Sequence, residues 1–175
     1  ENKINISTAR AGNIIGGGDF GDDRIIPDLI DAVINNKYLQ VRSPKSIRPW
    51  QHILDVINGY LILSKKLYFN TKKYSGSWNF GPSESNKTVK KIAEEFKKNS
   101  ELNFNIKILK TKKNYKESEI LQLNSNKAIK FLKWKQNLKF NNMIRLTVDW
   151  YNQFYLKKNC KAVTQNQIKN FFKIN

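Results

Sequence analysis

An alternation of short β-type segments with amphipathic helical ones limits this chain more than any other feature. Residues 4–10 read as a strand running into a glycine-rich loop. Ile25, Ile26, Leu29, Ile30, Val33 and Ile34 then recur at helical spacing. Asp22 or Asp23 is available as their cap, and Pro27 sits in a first turn that accepts proline. A short strand is predicted over 39–42. Asp55 reads as the N-cap of a helix in which Val56, Ile57, Tyr60, Leu61, Leu63, Ser64, Leu67 and Tyr68 form a wide buried face. Residues 77–80 read as a strand that Gly81-Pro82 ends.

The second half repeats the alternation. Val89, Ile92, Ala93 and Phe96 mark a helix, 106–109 a strand, and Ser125 the cap of a short helix reaching Leu132. Phe140, Met143, Ile144, Thr147, Tyr151, Phe154 and Tyr155 trace one face of a long helix, and Ile168, Phe171 and Phe172 mark a last one. Strands alternating with helices predict an α/β fold with a mainly parallel sheet. Only 4–10 and 77–80 read as central strands, too few to close such a sheet, so the architecture is expected to be incomplete.

Length and composition narrow the class. The 175 residues suit one domain with its own core. At 39% hydrophobic, with 10 Phe, 7 Tyr and 4 Trp, the chain carries enough apolar surface to fold despite its charge. Its apolar runs are too short to cross a bilayer, and residues 1–20 do not read as a signal peptide. The single Cys160 leaves no internal disulfide framework and fits a reducing, cytoplasmic setting.

A net charge of +18 raises nucleic acid as a partner. Yet 27 of the 32 basic residues are Lys, and Lys, Asn and Ile together fill 70 positions (27, 23 and 20), as A/T-rich codon bias on a tolerant surface would produce. The lysines are dispersed and no nucleic-acid motif accompanies them. They read as a solvated surface, with no nucleic acid or membrane as partner. His52, the only histidine, reads as structural, and Trp50, Trp78, Trp134 and Trp150 as core. No metal site is expected.

Gly16-Gly17-Gly18-Asp19-Phe20-Gly21 matches the dinucleotide fingerprint G-x-G-x-x-G and follows a strand. Asp19, Asp22 and Asp23 would repel a pyrophosphate, no helix opens from the last glycine, and no acidic residue ends a strand near Arg42 to hold a ribose. The segment therefore reads as a surface loop.

Three blocks carry a family resemblance. Ala9-Arg10-Ala11-Gly12-Asn13-Ile14-Ile15-Gly16-Gly17-Gly18-Asp19-Phe20 with Asp23-Arg24-Ile25-Ile26-Pro27-Asp28, Arg48-Pro49-Trp50-Gln51-His52, and Trp78-Asn79-Phe80-Gly81-Pro82 resemble, in order and spacing, CDP-glucose 4,6-dehydratases of the extended short-chain dehydrogenase/reductases. Leu132-Lys133-Trp134 and Val148-Asp149-Trp150-Tyr151 extend the likeness along nearly the whole chain. The resemblance implies the C-terminal part of a Rossmann-type enzyme. Residues 1–24 and 74–98 would contribute to the sheet, and 25–73 and 99–175 would form a substrate-binding lobe. It also implies NAD as cofactor, CDP-glucose as substrate and a homo-oligomer.

By position, it gives Asn13 and Arg48 to the sugar diphosphate, a role that suits the charged fork of Arg48. Arg24 and Ile25 would lie along the nucleotide, Gln40 and Arg42 at the base, and Asn79 and Glu117 at the nucleotide or its ribose. The Ile14 backbone would face the nicotinamide. Lys116-Glu117-Ser118 departs from the family's His-Glu-Ala, and Lys133 stands where the family has a helix-ending glycine. The family's phosphate-binding glycine loop and Tyr-x-x-x-Lys pair are lacking, so no catalytic residue is assigned here. An upstream NAD-binding half, in the same or a second chain, is expected to supply them. The alternatives are another nucleotide-sugar enzyme such as a 4-epimerase, which the Arg48–His52 block disfavours, a lysine-rich nucleic-acid binder, and a structural remnant without ligand.

Overall fold

The computed structural model describes residues 6–84, 86–101, 105–108 and 118–173. Among the described residues the strands form three two-stranded pairs, all parallel. β1 (Ser7–Ala11) lies beside β5 (Gly76–Phe80), with Ser7 opposite Gly76 and Ala11 opposite Phe80. β2 (Ile14–Ile15) pairs with β4 (Gln51–His52), and β3 (Tyr38–Val41) with β6 (Asn105–Ile108). The α/β expectation holds, with the parallel strands distributed among three pairs.

The helices are α1 (Ile25–Ile34), α2 (Ile53–Phe69), α3 (Thr71–Tyr74), α4 (Val89–Asn99), α5 (Phe140–Tyr155) and α6 (Cys160–Lys173), with a π-helical turn over Ala128–Leu132. In β3, Leu39 and Val41 point inward while Tyr38 and Gln40 point out, the two-residue period of a half-buried strand. Leu39 and Val41 join Leu29 and Ile30 of α1, Ile92 and Phe96 of α4, and Met143, Ile144 and Tyr151 of α5 in one core. Each large aliphatic side chain so buried contributes about 1.5–3 kcal/mol. A second core gathers Leu63 of α2, Tyr74 of α3, Trp78 and Phe80 of β5, and Ala128, Leu132 and Trp134 of the π-helical region. Helix α4 thus packs beside α1 and α5, and α2 beside β5.

Local chemistry departs from expectation at the helix starts. Helix α2 begins at Ile53 and its N-cap is His52, whose Nδ1 accepts from the Leu54 amide at 3.3 Å. Asp55 is not the cap. It lies inside the first turn, fully buried, and its carboxylate accepts from the backbone N–H of Asn137 (2.8 Å) and Leu138 (3.1 Å). Burial pushes its pKa up, and these two bonds oppose the rise. Neither Asp22 nor Asp23 caps α1, whose N-cap Arg24 makes no side-chain cap bond. Ser125 turns its hydroxyl to Gly81, accepting from its amide (2.8 Å) and donating to its carbonyl (3.0 Å).

The wide buried face expected of α2 is narrower than its apolar spacing implies. Leu61, Tyr68 and Phe69 are 57%, 82% and 75% exposed. In α6, Phe171 is buried while Ile168 and Phe172 are half exposed. Strand β1 spans Ser7–Ala11 and β6 Asn105–Ile108, while residues 4, 5 and 109 of the expected strands lie outside the described residues.

Candidate functional site

The C-terminal ends of β1 and β3 and the start of α1 converge on a cleft of about 890 Å³. Its floor is apolar, with Ile15, Ile26, Pro27, Val41, Trp50, Ile53 and Val89. Its rim holds Asn13, Gln40, Ser43, three arginines (Arg24, Arg42, Arg48) and three aspartates (Asp19, Asp23, Asp28). No lysine lines it among the described residues, and its three arginines are matched in number by the three aspartates.

Each rim group is positioned by a specific contact. The carbonyl of Asn13 accepts from the Gln51 amide at 3.0 Å, which holds the turn after β1 against β4. Arg24 Nη1 donates to Asp19 Oδ2 (2.8 Å), and Arg42 Nη2 donates to Asp23 Oδ1 (2.7 Å). Both pairs are exposed and add little stability. They do consume two carboxylates that would otherwise oppose an anion.

Arg48 is 6% exposed, and its Nη1 donates to the carbonyls of Ile47 and Ser118, both at 2.9 Å. These bonds hold the guanidinium plane in the cleft wall. Asp28 lies one turn into α1. Burial raises its pKa above the usual carboxylate range, Arg42 opposes the rise, and Asp23 adds to it.

The glycine loop is held from the far end of the chain. A Cβ on Gly17 would collide with the Trp150 ring of α5. The Tyr151 hydroxyl donates to the Asp19 carbonyl (2.6 Å) and accepts from its amide (3.1 Å), and burial lifts its pKa to about 12. The glycines therefore admit an indole, and Asp19 is held by Arg24. A pyrophosphate cradle does not fit this loop.

Seven of the residues expected from sequence, Asn13, Ile14, Arg24, Ile25, Gln40, Arg42 and Arg48, line this one cleft. Asn79 does not. It pairs with Arg10 in the β1–β5 sheet, and its Oδ1 is buried without a hydrogen-bond partner among the described residues. Glu117 lies outside the described residues. Ser43, Asp23, Asp28 and Val89 line the cleft without having been assigned to a ligand. Asp23 and Asp28 stand inside the block that includes Arg24 and Ile25, so that block carried the signal for them.

His52 is buried and occupied at Nδ1, and burial pulls its pKa down to about 4, so it serves as a neutral cap. Among the described residues no cluster could hold a metal ion, and no helix is long and apolar enough to cross a membrane.

No protein-family model matches the chain. It is similar to the CDP-glucose 4,6-dehydratase of Salmonella typhimurium, with 45% identity over 93 residues, 53% of this chain and 26% of that protein. Among solved structures, it resembles UDP-glucose-4-epimerase from Stenotrophomonas maltophila with bound NAD and formylated UDP-arabinopyranose. There the TM-score is 0.73 and the identity 15%, over 88% of this chain and 49% of the other. It also resembles dTDP-glucose 4,6-dehydratase from Bacillus anthracis in complex with NAD, with TM-score 0.67 and 17% identity over 90% and 47% of the two chains. The chain spans about a quarter of the curated relative and about half of these structures. The fold is that of Rossmann-type epimerases and dehydratases.

Proposed function

We propose that this chain supplies the nucleotide-sugar-binding part of a CDP-glucose 4,6-dehydratase, an NAD-dependent lyase that converts CDP-glucose to CDP-4-keto-6-deoxyglucose with loss of water. One observation carries the reading. Residues drawn from four separate segments, and assigned to a nucleotide sugar by resemblance alone, line a single cleft with an apolar floor and an arginine-bearing rim. In this reading Asn13 and Arg48 hold the diphosphate, Arg24 and Ile25 follow the nucleotide, and Gln40 and Arg42 meet the base. The chemistry comes from elsewhere, because the cleft holds neither a base paired to a nucleophile nor a cradle for the NAD pyrophosphate. A segment carrying those parts, in the same polypeptide or a second chain, completes the enzyme and brings the hydride carrier.

The test is calorimetric titration of CDP-glucose into the chain, with mass spectrometry for the 4-keto product. The 175 residues alone are expected to give no turnover, and addition of an NAD-binding half with a glycine loop and a Tyr-x-x-x-Lys pair is expected to restore it. Arg48→Ala is expected to weaken CDP-glucose by about tenfold or more, since bonds from a charged donor are about twice as strong as neutral ones. Arg48→Lys should recover part of that loss. Because Arg48 also holds two carbonyls, circular dichroism must accompany each titration. A folded Arg48→Ala variant of unchanged affinity overturns the assignment.

A further inference from the structure

Asp28 differs from the other two aspartates of the cleft. Asp19 and Asp23 are each held in an ion pair with an arginine of the rim. The Asp28 carboxylate lines the same cleft, half-buried, with no ion pair or side-chain hydrogen bond among the described residues. Its backbone is fixed, since the amide donates to the Arg24 carbonyl at 2.8 Å. Arg42, just after β3, lines the same cleft, held by Asp23 at 2.7 Å. The cleft thus sets an acceptor that is only an acceptor near a guanidinium that is only a donor.

That order complements one pyrimidine and not the other. Cytosine presents, along its pairing edge, an amino donor followed by two acceptors. Uracil and thymine present an acceptor, a donor and an acceptor. A carboxylate at the exocyclic position with a guanidinium beside it satisfies all of the first edge. It opposes like to like at two positions of the second. We infer that Asp28, together with Arg42, reads the pairing edge of the base and selects a cytidine nucleotide over a uridine or thymidine one. The inference rests on the nucleotide reading of the cleft and adds to it the residue that discriminates.

The test titrates CDP and UDP into the 175-residue chain and into Asp28→Asn, Asp28→Ala and, as an exposed control, Asp22→Asn. A good hydrogen-bonded contact to a base edge discriminates by about 1–3 kcal/mol, roughly 5- to 150-fold. The unsubstituted chain is therefore expected to bind CDP about tenfold or more tighter than UDP. An asparagine amide can turn either its oxygen or its NH₂ to the base, so Asp28→Asn should weaken CDP and strengthen UDP until the two are nearly equal. Asp28→Ala should weaken CDP with no gain for UDP, and Asp22→Asn should change neither. The gain in UDP affinity is a readout that an unfolded variant cannot produce. A CDP preference that survives in Asp28→Asn overturns the inference and leaves the nucleotide cleft standing. Equal binding of CDP and UDP by the unsubstituted chain does the same. A chain that binds neither nucleotide overturns both.

Discussion

The core shared by α1, β3, α4 and α5 and the one shared by β5, α2 and the π-helical turn differ in their cover. In the first, Leu29, Ile30, Ile92, Phe96, Met143, Ile144 and Tyr151 are all fully buried. In the second, Trp78 and Phe80 are as well buried, yet the strand beside them is not. Thr8, Ala9 and Arg10 of β1 are exposed, and Ile6 just before it is 63% exposed. A lysine takes part in the shielding, with Lys127 Nζ 4.2 Å from the Trp78 ring centre and donating to the Ser77 carbonyl at 2.9 Å. Parallel strands are ordinarily covered on both faces. The contrast teaches that the cleft-bearing core closes on its own residues, while β1 of the β1–β5 pair stays exposed among the described residues. The proposed NAD-binding half is the natural cover.

Hydrogen exchange gives the largest effect with which to break that comparison. Amides of β1 are expected to exchange about a thousandfold or more faster than those of Met143–Val148 in α5, because local opening follows burial. Equal protection, read by mass spectrometry on the chain alone, would make the two regions one cooperative unit. The next effect concerns the seam between them. Asp55, on α2, holds the amides of Asn137 and Leu138 just before α5. Asp55→Ala leaves one buried and one half-buried N–H group without an acceptor and should cost about 3 kcal/mol in urea unfolding.

His52 lies on the same seam and gives a pH-dependent test. Its pKa falls from 6.5 to about 4 on folding. A depressed pKa means that its stabilising contribution is complete above 6.5 and is lost as pH falls through 4, about 3 kcal/mol in all. His52→Asn keeps an acceptor for the Leu54 amide and removes the titration. The difference in unfolding free energy between the two proteins is therefore expected to shift by that amount between pH 7 and 4, although buried carboxylates such as Asp55 titrate in the opposite sense in both. The smallest effect is at Lys133, which ends the π-helical turn at φ 58°. Glycine occupies that region without strain, so Lys133→Gly should raise stability by about 1 kcal/mol, seen as a higher urea midpoint. A gain confined to the second core's exchange rates would sharpen the contrast further.

The helices were legible because their apolar spacing is strong, as in α1, α4 and α5, and the parallel pairing followed from alternation. Partners were less legible. Periodicity shows that α2 and α4 have a buried face and is silent on which neighbour it meets. Asp55 misled for a physical reason: a helix cap and a tertiary acceptor both need a carboxylate near backbone N–H groups, and only the fold shows that those groups belong to Asn137 and Leu138. Leu61 and Tyr68 read as core because exposure by an uncovered region leaves no mark on hydrophobicity. Five cleft residues (Asn13, Ile14, Arg24, Ile25 and Arg48) were reachable because their motifs are contiguous, and Gln40 and Arg42 by their position between those motifs. Asn79 was not separable in that way, since in β5 adjacent side chains alternate between faces and a motif quotes both.

The grip of α5 on the glycine loop makes the cleft's inner wall the property of two distant stretches of sequence. Trp150 and Tyr151 meet Gly17 and Asp19 across more than a hundred residues of chain, and neither lines the cleft. Randomised variants selected for lost ligand affinity should therefore include substitutions at these aromatics. Mapped without the fold, they would be mistaken for ligand contacts, when what they alter is the width of the opening that the ligand must enter.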